Sequence, residues 1–472
     1  MTSALKGDMK TSFTTIIICA AASCALLLWA SPILTMPRAM VLLSVFVSEA
    51  IATDHLPDDD SDDDDALDDD INDDDDDDIN DDDDAGEGDD DRRETDVEDV
   101  ESITESGFGD ADDMEEEFDS QGFIVQTAEI LAIDADDTSL ELIESLGFAV
   151  IRKQSLDALN ISIAVIETPP GLSVRDAIAR LRQSDPDALY EFNHIYETMR
   201  VSDKPNQALD ARKLPAVATV TGIGIGLIDT AVDTAHETLR GSRIIHQIFV
   251  DADHLPMVHG TSIASLLVGE ADDFRGMLPG ATLYSAAVFT QSLSGGVKAS
   301  ADSLASALNW LVKQQVAVIN MSLAGPSNVL LQVAVRKTLE RGHTIVSAVG
   351  NDGPAAPPLY PAAYPGVIAI TAVDANRYVY RRANRGKHVD FSAIGVNVRA
   401  ADQRGGYGTF SGTSYAAPVI SALLAARLGT PDVTRQQHVF AQLQQQAMDM
   451  GAVGRDPVFG YGLLGEAQYV SP

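Results

Sequence analysis

Four polar residues sit beside apolar runs in a way that suits nucleophilic chemistry. Ser414 lies in FSGTSYAAP (Phe410 to Pro418), just ahead of the apolar stretch Val419 to Leu428. Taken alone, a serine there reads as a helix cap, because its oxygen accepts an orphan backbone N–H. Asp229 ends IGIGLID, His259 opens HGTSIASLLVG, and Asn351 closes TIVSAVGN. A serine hydroxyl attacks poorly until a base takes its proton. A neutral histidine does this near pH 7, and a carboxylate fixes its tautomer and stabilises its cation. A tetrahedral intermediate also needs donors for its oxyanion; the Ser414 backbone N–H and the Asn351 amide are suitable types.

The elements that must hold these residues are legible. IGIGLID, ATLYSAAVF, VAVINMSL, TIVSAVG and GVIAITAV are continuous apolar runs, as expected of strands buried on both faces of a parallel sheet. SADSLASALNWLVKQ and NVLLQVAVRKTLERG have helical period and lie between them. The expected fold class is α/β, a mostly parallel sheet covered by helices on both faces. In such sheets function gathers at the carboxyl ends of strands, where Asp229 and Asn351 stand.

With these residues in view, the chain resembles the subtilisin-like serine proteases. DTAVD (Asp229 to Asp233), HGTSIA, AVGN and GTSYAAP match that family's aspartate, histidine, asparagine and serine motifs in its chain order. PLYPAAYPGVIAITAVD and the terminal GYGLL are also family-like, and the resemblance covers Thr221 to Val470. It implies Asp229 as orienting acid, His259 as base, Ser414 as nucleophile and Asn351 as oxyanion donor. MSLAG (Met321 to Gly325) resembles the substrate-binding segment, so Ser322, Leu323, Ala324 and Gly325 would pair with a peptide backbone as an added strand. Two departures stand in the histidine helix: Ser262 where the family often has a second histidine, and Ser265 where it often has glycine. No cofactor is required. The family often binds structural calcium, but no ligand set is assignable here.

Ahead of that region, Gly122 to Glu197 reads as β-α-β-β-α-β, a split βαβ pattern. By order and position it resembles the family's propeptide, a small ferredoxin-like α+β prodomain that would act as an intramolecular inhibitor. Thr198 to Val220 reads as a linker. Residues 53–121 are low-complexity acid: 37 Asp and Glu between Asp58 and Asp119, against Arg92 and Arg93, carry −35 of the formal net charge of −41. DDDIN repeats at Asp68 and Asp76 without the glycine and closing glutamate of a calcium loop, so a solvated, disordered tether is expected. Residues 1–52 carry basic flanks, apolar cores and Ala50-Ile51-Ala52, a secretory-signal pattern. Thr14 to Met36 is also long enough for an uncleaved anchor. The expected organisation is therefore 1–52 signal or anchor, 53–121 acidic segment, 122–198 prodomain and 199–472 catalytic domain. The expected location is secreted or periplasmic, with membrane attachment only through an uncleaved N-terminal segment.

Other readings are weaker. Cys19 and Cys24 both lie in the apolar leader; with that leader removed the product has no thiols, which excludes a disulfide framework or cysteine metal site. No basic patch suggests nucleic acid. GIGIG at Gly222 has the wrong spacing for a dinucleotide loop. His236 reads as structural, and Pro418 as a first-turn proline. A binding protein on the same fold and a cation-binding acidic surface protein remain the alternatives to a peptidase.

Overall fold

The computed structural model describes residues 116–198, 222–252, 254–291 and 296–465. The expected leader, most of the acidic segment and the linker lie outside the described residues. The described residues fall within one compact unit.

The N-terminal domain runs β1 (Ile124–Ile133), α1 (Asp137–Ser145), β2 (Ala149–Leu156), β3 (Ile161–Glu167), α2 (Val174–Ser184) and β4 (Leu189–Thr198). Both helices start on capping side chains. Asp136 accepts from the Ser139 N–H, and Ser173 from the Asp176 N–H. The strands pair antiparallel in the order β4-β1-β3-β2. Because strand side chains alternate, Ile130, Ala132, Ala164 and Ile166 face α1 and α2. Leu131, Ile133, Ile163 and Val165 face the other way. The described domain starts at Glu116, before the expected boundary at Gly122. Glu117–Phe118 pairs with Ile124–Val125, and Glu117 accepts from the N–H groups of Val174 and Ala128. Glu117, among the last acids of the run, thus binds backbone N–H groups within the fold, a use that composition hides.

The second domain holds a seven-stranded sheet. Its strands are β5 (Gly224–Asp229), β6 (Arg243–Ile248), β7 (Thr282–Ala287), β9 (Val318–Met321), β11 (Thr344–Ala348), β12 (Ile368–Val373) and β13 (Val389–Ile394). Every pair is parallel, in the order β13-β12-β11-β9-β5-β7-β6. Helices α3 (Val258–Val268), α6 (Thr413–Leu428) and α7 (Val433–Gln446) pack on one face. Helices α4 (Ala301–Lys313) and α5 (Val329–Glu340) pack on the other. The sheet covered on both faces is as expected.

The two domains share a sheet. Two short strands of the second domain, β8 (Val297–Ser300) and β10 (Leu323–Ala324), pair antiparallel with β4. The second face of the N-terminal sheet packs on α4 and α5: Leu131, Ile163 and Val165 share one apolar cluster with Ala301, Leu304 and Leu308.

Candidate active site

Asp229 is the last residue of β5, at the carboxyl edge of the parallel sheet, and is 1% exposed. Its Oδ1 accepts from the Thr230 N–H at 2.7 Å. His259 is the second residue of α3. That helix can start so close to the end of β5 only because Gly260 follows. A Cβ on Gly260 would stand 2.4 Å from the Thr230 carbonyl oxygen and 2.7 Å from that of Ala231. The approach puts His259 Nδ1 at 2.8 and 2.9 Å from the two Asp229 oxygens. A carboxylate facing Nδ1 fixes the proton there and leaves Nε2 as the basic nitrogen. Nε2 is buried with no hydrogen-bond partner among the described residues.

Ser414 is fully buried in the first turn of α6, and its Oγ has no partner among the described residues. It is not a cap: the N-cap is Gly412. Nor does Pro418 lie in the first turn; it is the sixth helical residue. A proline there has no N–H for the carbonyl four residues back, which is that of Ser414. Ser322 supplies the missing donor, its Oγ reaching the Ser414 carbonyl oxygen at 3.0 Å. The Ser322 hydroxyl therefore supports the nucleophile's backbone from behind, while Asn320 Nδ2 donates to it at 2.9 Å.

Asn351 follows β11. Its Oδ1 accepts from the Thr413 N–H at 3.1 Å and from Thr413 Oγ1 at 3.0 Å. This turns the amide nitrogen away from Thr413. Nδ2 is buried and has no partner among the described residues. It faces the same small space as Ser414 Oγ. A Cβ placed on Gly412 would stand 3.0 Å from Asn351 Nδ2 and 3.3 Å from Ser414 Oγ. Buried polar atoms without partners are costly and few in native proteins. Three of them belong to His259, Ser414 and Asn351.

Tyr415 closes the site from below. Its ring meets His259 edge-on at 5.8 Å between centroids and stacks on Phe410 at 5.3 Å. Burial first, then the Asp229 charge, pushes its phenol far above the usual range, so it stays neutral. His236 lies elsewhere with both ring nitrogens engaged, by Thr238 Oγ1 at 2.9 Å and the Gly406 carbonyl at 3.0 Å.

Leu323 and Ala324 do pair with an added strand, and that strand is β4 of the same chain. Leu323 stands opposite Thr198, and Ala324 opposite Glu197. On its other side β4 pairs with β8, Ala299 opposite Tyr196. The Tyr196 ring is fully buried against Gly325, where a Cβ would meet Cδ1 at 2.4 Å. Its hydroxyl donates to the Pro326 carbonyl at 2.9 Å. A cleft of about 240 Å³ opens where β4 ends, walled by Thr198, Gly325, Asn351, Leu359 and Arg382. Among the described residues no group of three or more His, Cys, Asp or Glu is placed to hold a metal, and no helix is long and apolar enough to cross a membrane.

Sequence reasoning did not find the supporting roles of Thr413, Tyr415 and the Ser322 hydroxyl, nor Arg382 in the cleft. The proline inside the helical run was the one local signal that Ser414 needs an outside donor.

The profile of a protein family described as "Subtilase family" matches residues 221–462. The minor extracellular protease Epr of Bacillus subtilis (strain 168) is 32% identical over 209 residues, 44% of this chain and 32% of that protein. The major intracellular serine protease of the same organism is 31% identical over 247 residues, 48% of this chain and 76% of that protein. Among solved structures, fervidolysin from Fervidobacterium pennivorans, a keratinolytic enzyme related to subtilisin, superposes with a TM-score of 0.62 at 21% identity. That match covers 76% of this chain and 62% of that one, and it is a likeness of fold. The chain thus spans about a third of Epr and under two thirds of fervidolysin.

Proposed function

The chain belongs to the subtilase family, and from this premise we propose that it is a serine endopeptidase made as a self-processing precursor. One observation carries the reading. The Asp229–His259 pair leaves Nε2 basic, while Ser414 Oγ and Asn351 Nδ2 face one space at the carboxyl edge of the sheet. Ser414 Oγ attacks the peptide carbonyl as His259 takes its proton. The oxyanion accepts hydrogen bonds from Asn351 Nδ2 and the Ser414 N–H. His259 returns the proton to the leaving amine, giving an acyl-enzyme on Ser414 that water hydrolyses by the same steps. Asp229 holds the imidazole and stabilises its cation throughout.

The N-terminal domain is the prodomain in this proposal. Its last strand occupies Leu323 and Ala324, where a substrate strand would pair, so it blocks the site until cut. The cut falls after Thr198, within residues 199–221, which lie outside the described residues. The Asp-rich segment leaves with the prodomain. Secretion by the signal in residues 1–52 completes the scheme; it is supported by the leader's pattern and by the extracellular relative Epr, although another relative is intracellular.

Intact masses of the wild type and the Ser414→Ala chain test the reading. The expected wild-type product begins between residues 199 and 221, while the variant stays full length. Two full-length products would favour a binding protein on a protease fold or a protease that needs an outside activator. Asn351→Ala should cut turnover by about 10²–10³-fold without loss of fold. That magnitude is the one known for the corresponding donor in subtilisin, a member of the same family. Unchanged turnover would remove Asn351 from the oxyanion role.

A further inference from the structure

The loop joining β12 to β13 carries a basic run that the reading of composition passed over. Arg377, Arg381, Arg382, Arg385 and Lys387 fall within eleven positions, and no Asp or Glu stands between Asp374 and Asp390. These five are drawn from only 18 Lys and Arg in residues 222–465. Arg381, Arg385 and Lys387 are exposed and form no ion pair among the described residues. A solvated charged face would be the ordinary reading of such a run.

Its attachment says otherwise. The loop is fastened to the turn that carries Asn351. The Asn384 N–H donates to the Gly350 carbonyl at 3.1 Å, and the Gly353 N–H to the Arg382 carbonyl at 2.8 Å. Arg382 Nε donates to the Asn351 carbonyl oxygen at 3.2 Å, and its side chain walls the cleft. A guanidinium tethered through Nε still presents its two terminal nitrogens, the fork that matches a carboxylate. Two carboxylates also line the cleft, Glu197 and Asp352. Glu197 belongs to β4 and departs with the N-terminal domain. Asp352 stays, exposed, with Arg382 in the same lining.

We propose that this loop selects acidic peptide segments as substrates. Arg382 meets a substrate carboxylate at the cleft, while the exposed Arg381, Arg385 and Lys387 of the same loop add positive potential that steers acidic segments toward it. A positively charged loop that reaches a cleft raises the encounter rate and the local concentration of anionic ligands, and salt weakens both. The inference rests on the endopeptidase reading of the same site.

The test compares two fluorogenic peptides of equal length, one with Asp and one with Asn flanking the cleaved bond. Casein hydrolysis serves as the separate measure of peptidase activity. In low salt the Asp peptide should show at least a tenfold higher kcat/KM, shrinking below threefold in 0.5 M NaCl. The triple variant Arg381→Ala, Arg385→Ala, Lys387→Ala, which keeps Arg382, should lower the Asp/Asn ratio at least threefold in low salt. Equal rates on the two peptides, or a ratio the triple variant keeps, would overturn the inference while leaving casein hydrolysis intact. Failure on casein as well would strike the endopeptidase reading instead. Binding then decides the inference, by fluorescence anisotropy of a labelled peptide copying residues 68–84 with the Ser414→Ala chain. The chain's own acidic run competes equally in both proteins, so the ratio of affinities is what counts. A fivefold or greater loss in the triple variant supports the loop; no binding or no loss overturns it. An oligothymidylate that displaces the peptide at lower concentration would also overturn it, in favour of a general polyanion site.

Discussion

The N-terminal sheet buries its two faces in different company. One face packs on its own helices: Ile130, Ala132, Ala164 and Ile166 against Ile143, Ile178 and Leu181. The other packs on helices of the second domain, Leu131, Ile163 and Val165 against Ala301, Leu304 and Leu308. The first is a domain core. The second is built like an interface, apolar at the centre and polar at the rim. At that rim Arg152 pairs with Asp302, Lys298 with Glu116 and Asn193 with both Asp302 and Glu129. A sheet with half its apolar surface lent to another domain depends on that domain for stability. Separation would expose a large apolar patch, so an N-terminal domain released as proposed should loosen.

The sharpest way to break the contrast is at Tyr196. Its ring is wholly buried in the second domain, and buried aromatic anchors dominate interfaces. Tyr196→Ala in the Ser414→Ala chain should ease opening of the interface by about 3 kcal/mol, some 150-fold. Amide hydrogen exchange at residues 195–198, 298–300 and 323–324 would read this. Amides of α1 and α2 should keep most of their protection. If all of the N-terminal domain exchanges together, the two faces are one cooperative unit and the contrast fails.

Ile166 gives the converse. It is fully buried on the domain's own face, and truncating it to alanine removes three carbons from a closed core. A cost of about 2–3 kcal/mol is expected. It should appear first as faster exchange in α1, α2 and β3, with the edge between β4 and β10 following. An effect confined to β4, β8 and β10 would reverse the assignment of faces.

How much of this was legible without coordinates follows from the range of each cause. Strands buried on both faces announce themselves by composition, so β5, β7, β9, β11 and β12 were readable. Edge strands do not: β6 is half exposed, and β13 is broken by Asp390 and Ser392. The glutamine-rich α7 has only Val439 and Leu443 buried, so its apolar stripe is thin. Asp229, His259, Asn351 and Ser414 stand out in the sequence because each sits in a dense local motif. The partners that aim them do not. Ser322 reaches Ser414 across 92 residues, and Tyr196 reaches Pro326 across 130. No local period encodes such contacts.

The smallest expected effect lies at the rim and concerns pH. Glu129 of the N-terminal domain accepts from Asn193 Nδ2 at 2.9 Å, and the same nitrogen reaches Asp302 at 3.1 Å. Burial raises the Glu129 carboxyl above its ordinary value of 4.5. The Asn193 hydrogen bond opposes that, the charges of Asp302 and Glu167 add to it, and Arg152 offsets part. A carboxyl whose value is raised in the closed state holds its proton more tightly there than when exposed. Its contribution is therefore complete below 4.5 and is lost as pH climbs through the raised value. The interface should open more readily at pH 7.5 than at pH 5, opposite to the usual behaviour of a salt-bridged carboxylate. Glu129→Gln mimics the protonated form and retains an acceptor for Asn193. It should tighten the interface at pH 7.5 and flatten the difference between the two pH values. Protection factors at residues 195–198, corrected for intrinsic exchange at each pH, would show it. A Gln variant with the wild-type pH slope would place the sensitivity in another group. The own-helix face of the sheet, whose buried side chains named above are all apolar, should show no comparable slope. The contrast between the two faces would then extend from packing to protonation.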